Sequence, residues 1–150
     1  MINPLKEPCR GCSILFINDR REVLLLLRDD ISSIPYPGMW DIPGGHVEPN
    51  ETPFECIVRE MKEEMGLDLA GHRLFARTEF YDRIEYTFWK HVSLDLDHIH
   101  LTEGQCLAWF SESKARNTSL AYGFNRIIDR FFNGRPYEIQ LGLAPKNSGD

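Results

Sequence analysis

The sequence predicts an α/β domain with helices laid outside a sheet, and three observations carry the prediction. Two pairs of short apolar runs, rich in β-branched and aromatic residues, read as hairpins. Between them lies a stretch with helix signals at both ends and one apolar face. Near the C-terminus Phe124, Ile127, Ile128, Phe131 and Phe132 fall close to i, i+3, i+4, i+7 spacing. The 150 residues suit one domain spanning 1–150. A chain of this size buries about 68–70% of its unfolded surface and builds a core without disulfides.

In chain order, residues 1–8, with two prolines, make an irregular arm. Cys12 to Ile17 (CSILFI) and Glu22 to Arg28 (EVLLLLR) flank the polar turn Asn18 to Arg21 and form the first hairpin. Asp29 to Tyr36 is a polar loop, and Pro35, Pro37 and Gly38 exclude regular structure at its end. Trp40 to Gly45 then leads into the first helix. His72 to Asp82 and Ile84 to Leu94 make the second hairpin, followed by a loop from Asp95 to His100 and a last short strand, Cys106 to Phe110. Ser111 to Ala115 is a brief helix capped by Ser111, and the packing helix from Leu120 to Phe132 ends at Gly134. The C-terminal extension, 135–150, has room for one edge strand and a disordered tail from Lys146.

The first helix is the best specified element. Thr52 suits the N-cap, Pro53 the first helical position, Glu55 completes a capping box, and Gly66 stops the helix. At about 100° per residue, Phe54, Ile57, Val58, Met61 and Met65 gather on a core face, while Glu60, Glu63 and Glu64 gather on another. Three carboxylates within one turn repel, each like-charged pair costing a few tenths of a kcal/mol. Arg59 and Lys62 relieve some of this on a solvated face. The spacing around the acids points further: Gly45, five residues, Glu51, seven residues, then Arg59-Glu60-Met61-x-Glu63-Glu64-x-Gly66-Leu67.

In every specified position this stretch resembles the box of the Nudix hydrolase superfamily, and the chain looks MutT-like. The resemblance implies an α/β/α sandwich with a mixed central sheet, the box helix on one side and a C-terminal helix on the other. It implies that Glu60, Glu63 and Glu64 bind divalent cations, that Gly45 adds its backbone carbonyl, and that Glu51 and Arg59 are structural, holding the loop against the helix. Oxygen ligands favour Mg²⁺, with Mn²⁺ as a substitute. The family hydrolyses a nucleoside diphosphate linked to another moiety. The expected substrate is a nucleoside triphosphate, intact or oxidised. A nucleotide-sugar or dinucleotide pyrophosphatase is the alternative within enzymes, and a nucleotide-binding sensor without catalysis the alternative outside them.

A general base must reach the attacking water, and the catalytic set is Glu60, Glu63, Glu64 and Glu103. Glu103-Gly104-Gln105 followed by Trp109 resembles the MutT-type segment whose glutamate joins the metal site; a solvated loop carboxylate is the plainer reading. Arg28 and Asn125 stand where MutT-type proteins carry substrate-contacting residues. A strand-end ion pair and a surface helix position are their plainer readings. Tyr36, Trp40, Phe80 and Trp89 are candidates for stacking on a base, core packing being the commoner role of aromatics. Asp82, Glu85, Asp95 and Asp97 have weaker claims.

A net charge of −6 and a pI near 5.4 argue against long nucleic acid as the partner. An acidic protein that handles an anionic nucleotide needs cations between the two. No apolar run reaches the roughly 18 residues of a membrane span, and the N-terminus lacks signal-peptide design. The expectation is a cytoplasmic monomer or homodimer without membrane partner. Cys9, Cys12, Cys56 and Cys106 make no disulfide framework and are expected as thiols. Cys9-x-x-Cys12 lacks the second pair of a zinc site.

Overall fold

The computed structural model describes residues 8–138. Pro136 to Glu138 form a turn; almost all of the predicted arm, edge strand and tail lies outside the described residues. The strands are β1 (Cys9–Ile17), β2 (Val23–Leu27), β3 (Trp40–Asp41), β4 (Gly44–His46), β5 (Arg73–Glu79), β6 (Arg83–His91) and β7 (Cys106–Phe110). The helices are α1 (Pro53–Met65), α2 (Glu112–Arg116) and α3 (Asn125–Gly134), with 3₁₀ turns at Leu96–His98 and Ala121–Gly123.

β1 is the centre of the sheet. It pairs with β6 in parallel along its whole length, from Cys9↔Arg83 to Ile17↔His91. On its other side it meets β2 at Ile17↔Val23, beside the turn, and β4 at Gly11↔His46, Cys12↔Gly45 and Ser13↔Gly44. The hairpin thus splays open, and the two short strands fill the gap, β3 on β2 (Leu26↔Asp41, Leu27↔Trp40) and β4 on β1. Asn18 closes the turn, its Oδ1 accepting from the N–H of Arg20 (3.0 Å) and Glu22 (2.9 Å). β7 and β5 complete the mixed sheet as antiparallel partners of β2 and β6.

Strand alternation divides the apolar residues between two layers. Ile14, Phe16, Leu24 and Phe88 pack against Cys56, Ile57, Met61 and Met65 of α1. Leu15, Ile17, Val23, Leu25 and Trp89 pack against Ile127, Ile128, Phe131 and Phe132 of α3. The molecule is therefore the expected α/β/α sandwich. Met61 and Phe131 are fully buried, and truncation of either to Ala costs about 2–5 kcal/mol.

Four expectations need correction. Phe54 is 54% exposed rather than in the core: it lies in the first turn of α1, stacks on the His72 ring at 4.4 Å and meets Phe88 of β6 edge-on at 6.2 Å. The helix predicted from Leu120 begins only at Asn125, because Tyr122 takes a left-handed conformation (φ 61°) and Gly123 follows it (φ 72°). Trp89 is 5% exposed inside the α3-side core and cannot stack on a ligand. Cys12 and Cys56 are paired as a disulfide rather than held as separate thiols, because the packing of α1 on β1 brings their Cα atoms to 6.5 Å.

Candidate active site

Helix α1 starts and stops as its termini dictate. Thr52 Oγ1 accepts from Glu55 N (3.1 Å), Glu55 Oε1 accepts from Thr52 N (3.2 Å), and Gly66 ends the helix at φ 67°. Arg59 is the hub of its polar side. Its Nε donates to Glu51 Oε2 (2.7 Å) and Nη2 to Glu51 Oε1 (2.8 Å), a two-pronged pair, while Nη2 also reaches His46 O (3.2 Å). Nη1 donates to Glu60 Oε1 (3.0 Å) and Glu63 Oε2 (3.2 Å). One guanidinium therefore ties the loop before α1 to the helix and to β4. The hydrogen bonds from Arg59 hold the Glu51 carboxyl down to about 2.

Gly45 sits opposite Cys12 on β1, and a Cβ there would overlap the Glu60 carboxylate. Gly44 has the same relation to the Cys12 carbonyl. The pair of glycines thus allows β4 to lie flat on β1 with the Glu60 carboxylate against bare backbone. Burial raises Glu60. Burial first, then the charges of Glu60, Glu103 and Asp41, push Glu64 up to about 9. Glu63 is more open, its side chain 60% exposed.

The loop before β7 brings Glu103 to this group. Thr102 N donates to Glu64 O (3.1 Å), Gly104 N to Asp29 Oδ2 (3.2 Å), and Gln105 N to Leu27 O (2.8 Å). The loop is thus pinned to the end of α1 and to the end of β2, with exposed Glu103 between. Glu60, Glu63, Glu64, Glu103 and Gly45 all line one cleft of about 420 Å³.

Arg28 lines the same cleft. Its Nη1 donates to Asp41 Oδ2 (3.0 Å) and its Nε to Pro35 O (3.0 Å). Beside it, Arg83 and Arg28 both lie over the Tyr122 ring, 4.7 and 5.3 Å from its centroid. Tyr122 meets Tyr36 with ring centroids 4.6 Å apart. Of the other stacking candidates, Trp40 packs edge-on against Phe110 at 4.7 Å and Phe80 against Phe124 at 5.6 Å.

Asn125 does not line the cleft. Its Nδ2 donates to Thr118 O (2.6 Å) and its Oδ1 accepts from Leu120 N (2.8 Å), so the amide is used to fold the chain back before α3. One donor and one acceptor of the amide are thereby spent on the fold, away from the cleft lining. Conversely Asp41, Arg83 and Tyr122 line the cleft without having been singled out, and Glu85 lines it after only a weak claim. The alternation of β6 carried the signal: Arg83, Glu85 and Thr87 share a sheet face with buried Trp89.

The donor set suits a hard divalent cation. It consists of oxygen ligands only, gathered at a glycine that leaves room for a carboxylate, with mutual repulsion that a cation removes. Among the described residues no three acid, His or Cys side chains already stand at ligating distance from one point; Arg59 instead occupies Glu60 and Glu63. No helix among them is long and apolar enough to cross a membrane.

Comparison with known proteins agrees with this geometry. Residues 7–131 match the family model described as NUDIX domain. The CTP pyrophosphohydrolase of Escherichia coli is 30% identical over 113 residues, covering 74% of this chain and 84% of that protein. A Bacillus subtilis protein provisionally named an 8-oxo-dGTP diphosphatase is 31% identical over 99 residues, 66% of this chain but only 58% of that protein. The crystal structure of a MutT protein from Methanosarcina mazei superposes with TM-score 0.69 at 30% identity, covering 87% of this chain and 98% of that one.

Proposed function

Because this chain belongs to the NUDIX domain family, we propose that it is a divalent-metal-dependent pyrophosphohydrolase of nucleoside diphosphates linked to another moiety, with a nucleoside triphosphate as substrate. The observation that carries the reading is the lining of one cleft, where Glu60, Glu63, Glu64 and Glu103 meet Arg28, Arg83 and Tyr122. The carboxylates repel phosphate unless cations lie between, and the arginines and the tyrosine offer cationic and aromatic groups to the rest of a nucleotide.

Glu60, Glu63, Glu64, Glu103 and the Gly45 carbonyl would hold Mg²⁺, or Mn²⁺ in its place. Bound there, the cation neutralises phosphate oxygens and makes a bound water more acidic. Glu60, whose carboxylate stands against the bare backbone of Gly45, is the proton acceptor of choice. Glu103, exposed at the rim, is its competitor. Arg59 and Glu51 keep the loop and helix in register. The relatives' names for CTP and 8-oxo-dGTP support a triphosphate.

The test is a panel of nucleoside triphosphates, nucleotide sugars and dinucleotides assayed with Mg²⁺, scoring phosphate and pyrophosphate separately. Pyrophosphate release from triphosphates, abolished by Glu64→Gln, is expected. Turnover confined to nucleotide sugars would overturn the substrate assignment, and binding without turnover across the panel would overturn the enzyme.

A further inference from the structure

Three elements of the site meet at one covalent bond. Cys12 lies on β1 opposite Gly45 of β4, the glycine whose carbonyl belongs to the proposed cation site. Cys56 lies on α1, one helical turn before Glu60. The Cys12–Cys56 disulfide therefore ties the strand that carries β4 to the helix that carries the box carboxylates.

The fit around that bond is close. A Cβ on Gly45 would overlap the Glu60 carboxylate, and one on Gly44 would overlap Cys12 O. With contacts this tight, a small lift of α1 from β1 changes the separation of Gly45 and Glu60. Both redox states of the pair are accommodated: Cys56 Sγ stands 3.4 Å from His46 O, so a reduced Cys56 has an acceptor at hand. A thiol is a weak donor, however, and its contact replaces a covalent tie. Cys12 is 1% exposed and Cys56 0%, so thiol exchange at either sulfur requires α1 to lift. Cys9 and Cys106 are free and exposed.

We propose that Cys12 and Cys56 form a redox latch on the cation site: their disulfide holds the Gly45 carbonyl and the Glu60 carboxylate together, and its reduction lowers the affinity for a divalent cation. The two cysteines are positioning residues. The latch closes by exchange with a low-molecular-weight disulfide such as oxidised glutathione: the two cysteine thiols lose two electrons and two protons, the S–S bond of glutathione breaks, and two glutathione thiols leave. Linkage makes the effect reciprocal, so a bound cation favours the disulfide by the factor by which the disulfide favours the cation. A cross-link that served the fold alone would raise stability and leave cation affinity unchanged. The proposal rests on the reading of the box carboxylates as the cation site.

The test uses the full chain carrying Cys9→Ser and Cys106→Ser, which leaves only the pair. Mn²⁺ binding is followed by the electron paramagnetic resonance of the free ion for the disulfide form, for the reduced form after removal of reductant, and for Cys56→Ala, each checked by thermal melting. Reduction and Cys56→Ala are expected to weaken Mn²⁺ binding at least about fivefold, the lower end of coupling between two sites. In glutathione redox buffers, saturating Mn²⁺ is expected to raise the ratio of disulfide to dithiol by the same factor, read by alkylation and intact mass. Equal Mn²⁺ affinity in the two redox states, a ratio that Mn²⁺ does not move, a reduced chain that unfolds, or dithiol alone at every glutathione ratio would each overturn the latch. If Cys56→Ala does not fold, the reduced chain decides alone. Mn²⁺ binding to neither form would sink the cation site along with the latch, whereas equal binding sinks the latch only.

Discussion

Replacing Arg59 with Met removes the guanidinium that joins the loop before α1 to the box helix, while keeping much of the apolar stem. Two charge-assisted bonds to Glu51, at 2.7 and 2.8 Å, are lost, and Glu51 and Glu60, with side chains 11% and 14% exposed, are left beside each other without their cation. Bonds of this kind contribute about 1.5–3 kcal/mol each when one partner remains. The Arg59 side chain is itself 25% exposed, so solvent offsets part of the loss. A net destabilisation of about 2–3 kcal/mol follows. For a domain of this size it lowers Tm by roughly 4–12 °C. Chemical denaturation of wild type, Arg59→Met, Glu51→Gln and the double variant measures it, with a coupling energy on the order of 1–3 kcal/mol expected. A coupling below about 0.5 kcal/mol, the scale of an ordinary surface ion pair, would refute the clamp.

Glu64→Gln should reduce kcat by about a hundredfold or more without loss of unfolding free energy, because it removes a buried carboxyl repelled by its neighbours rather than packing; kinetics and denaturation on one preparation separate the two. Asn125→Ala should cost about 1–3 kcal/mol by orphaning Thr118 O and Leu120 N, and its effect on kcat/KM should be the same for every base; a base-selective loss would restore the reading role. Burial raises Asp41 to about 6 and Glu85 to about 7, so the native state holds more protons than the unfolded chain between about pH 4 and 7. Stability therefore falls as pH rises through that window, by at most about 1.4 kcal/mol per pH unit for each group. Urea denaturation from pH 5 to 8 should show this fall and show it flattened in Glu85→Gln.

What was legible in the sequence was what local rules determine. The capping box, the glycine stop and the β7 strand stand where propensity and periodicity put them, and the second hairpin pairs as expected, while the first meets only beside its turn. The short strands β3 and β4 were not legible: Trp40–Asp41 and Gly44–His46 are two and three residues long, dilute Trp40 with Asp41 and paired glycines, and exist because the splayed hairpin leaves them backbone partners. Phe54 shows the limit of helical periodicity, which says which residues share a face but not how deeply each is buried. The box acids were readable from spacing. Glu85 carried only a weak claim because a charged residue in a strand suggests solvent, whereas Gly11 opposite makes room for it to be buried. Asn125 was assigned by position, and only the atoms show its amide to be already used.

The parallel joining of β1 to β6 has a consequence for how the chain is made. Ser13 and Thr87 stand 74 residues apart, so at about 5–20 residues per second a ribosome needs roughly 4–15 s to deliver the second strand after the first. During that interval the apolar run Ile14 to Ile17 has one edge without its partner, the condition in which nascent chains stick to one another. A trigger-type chaperone, or slowed synthesis ahead of Arg83, would alter the yield of active protein without touching its final stability.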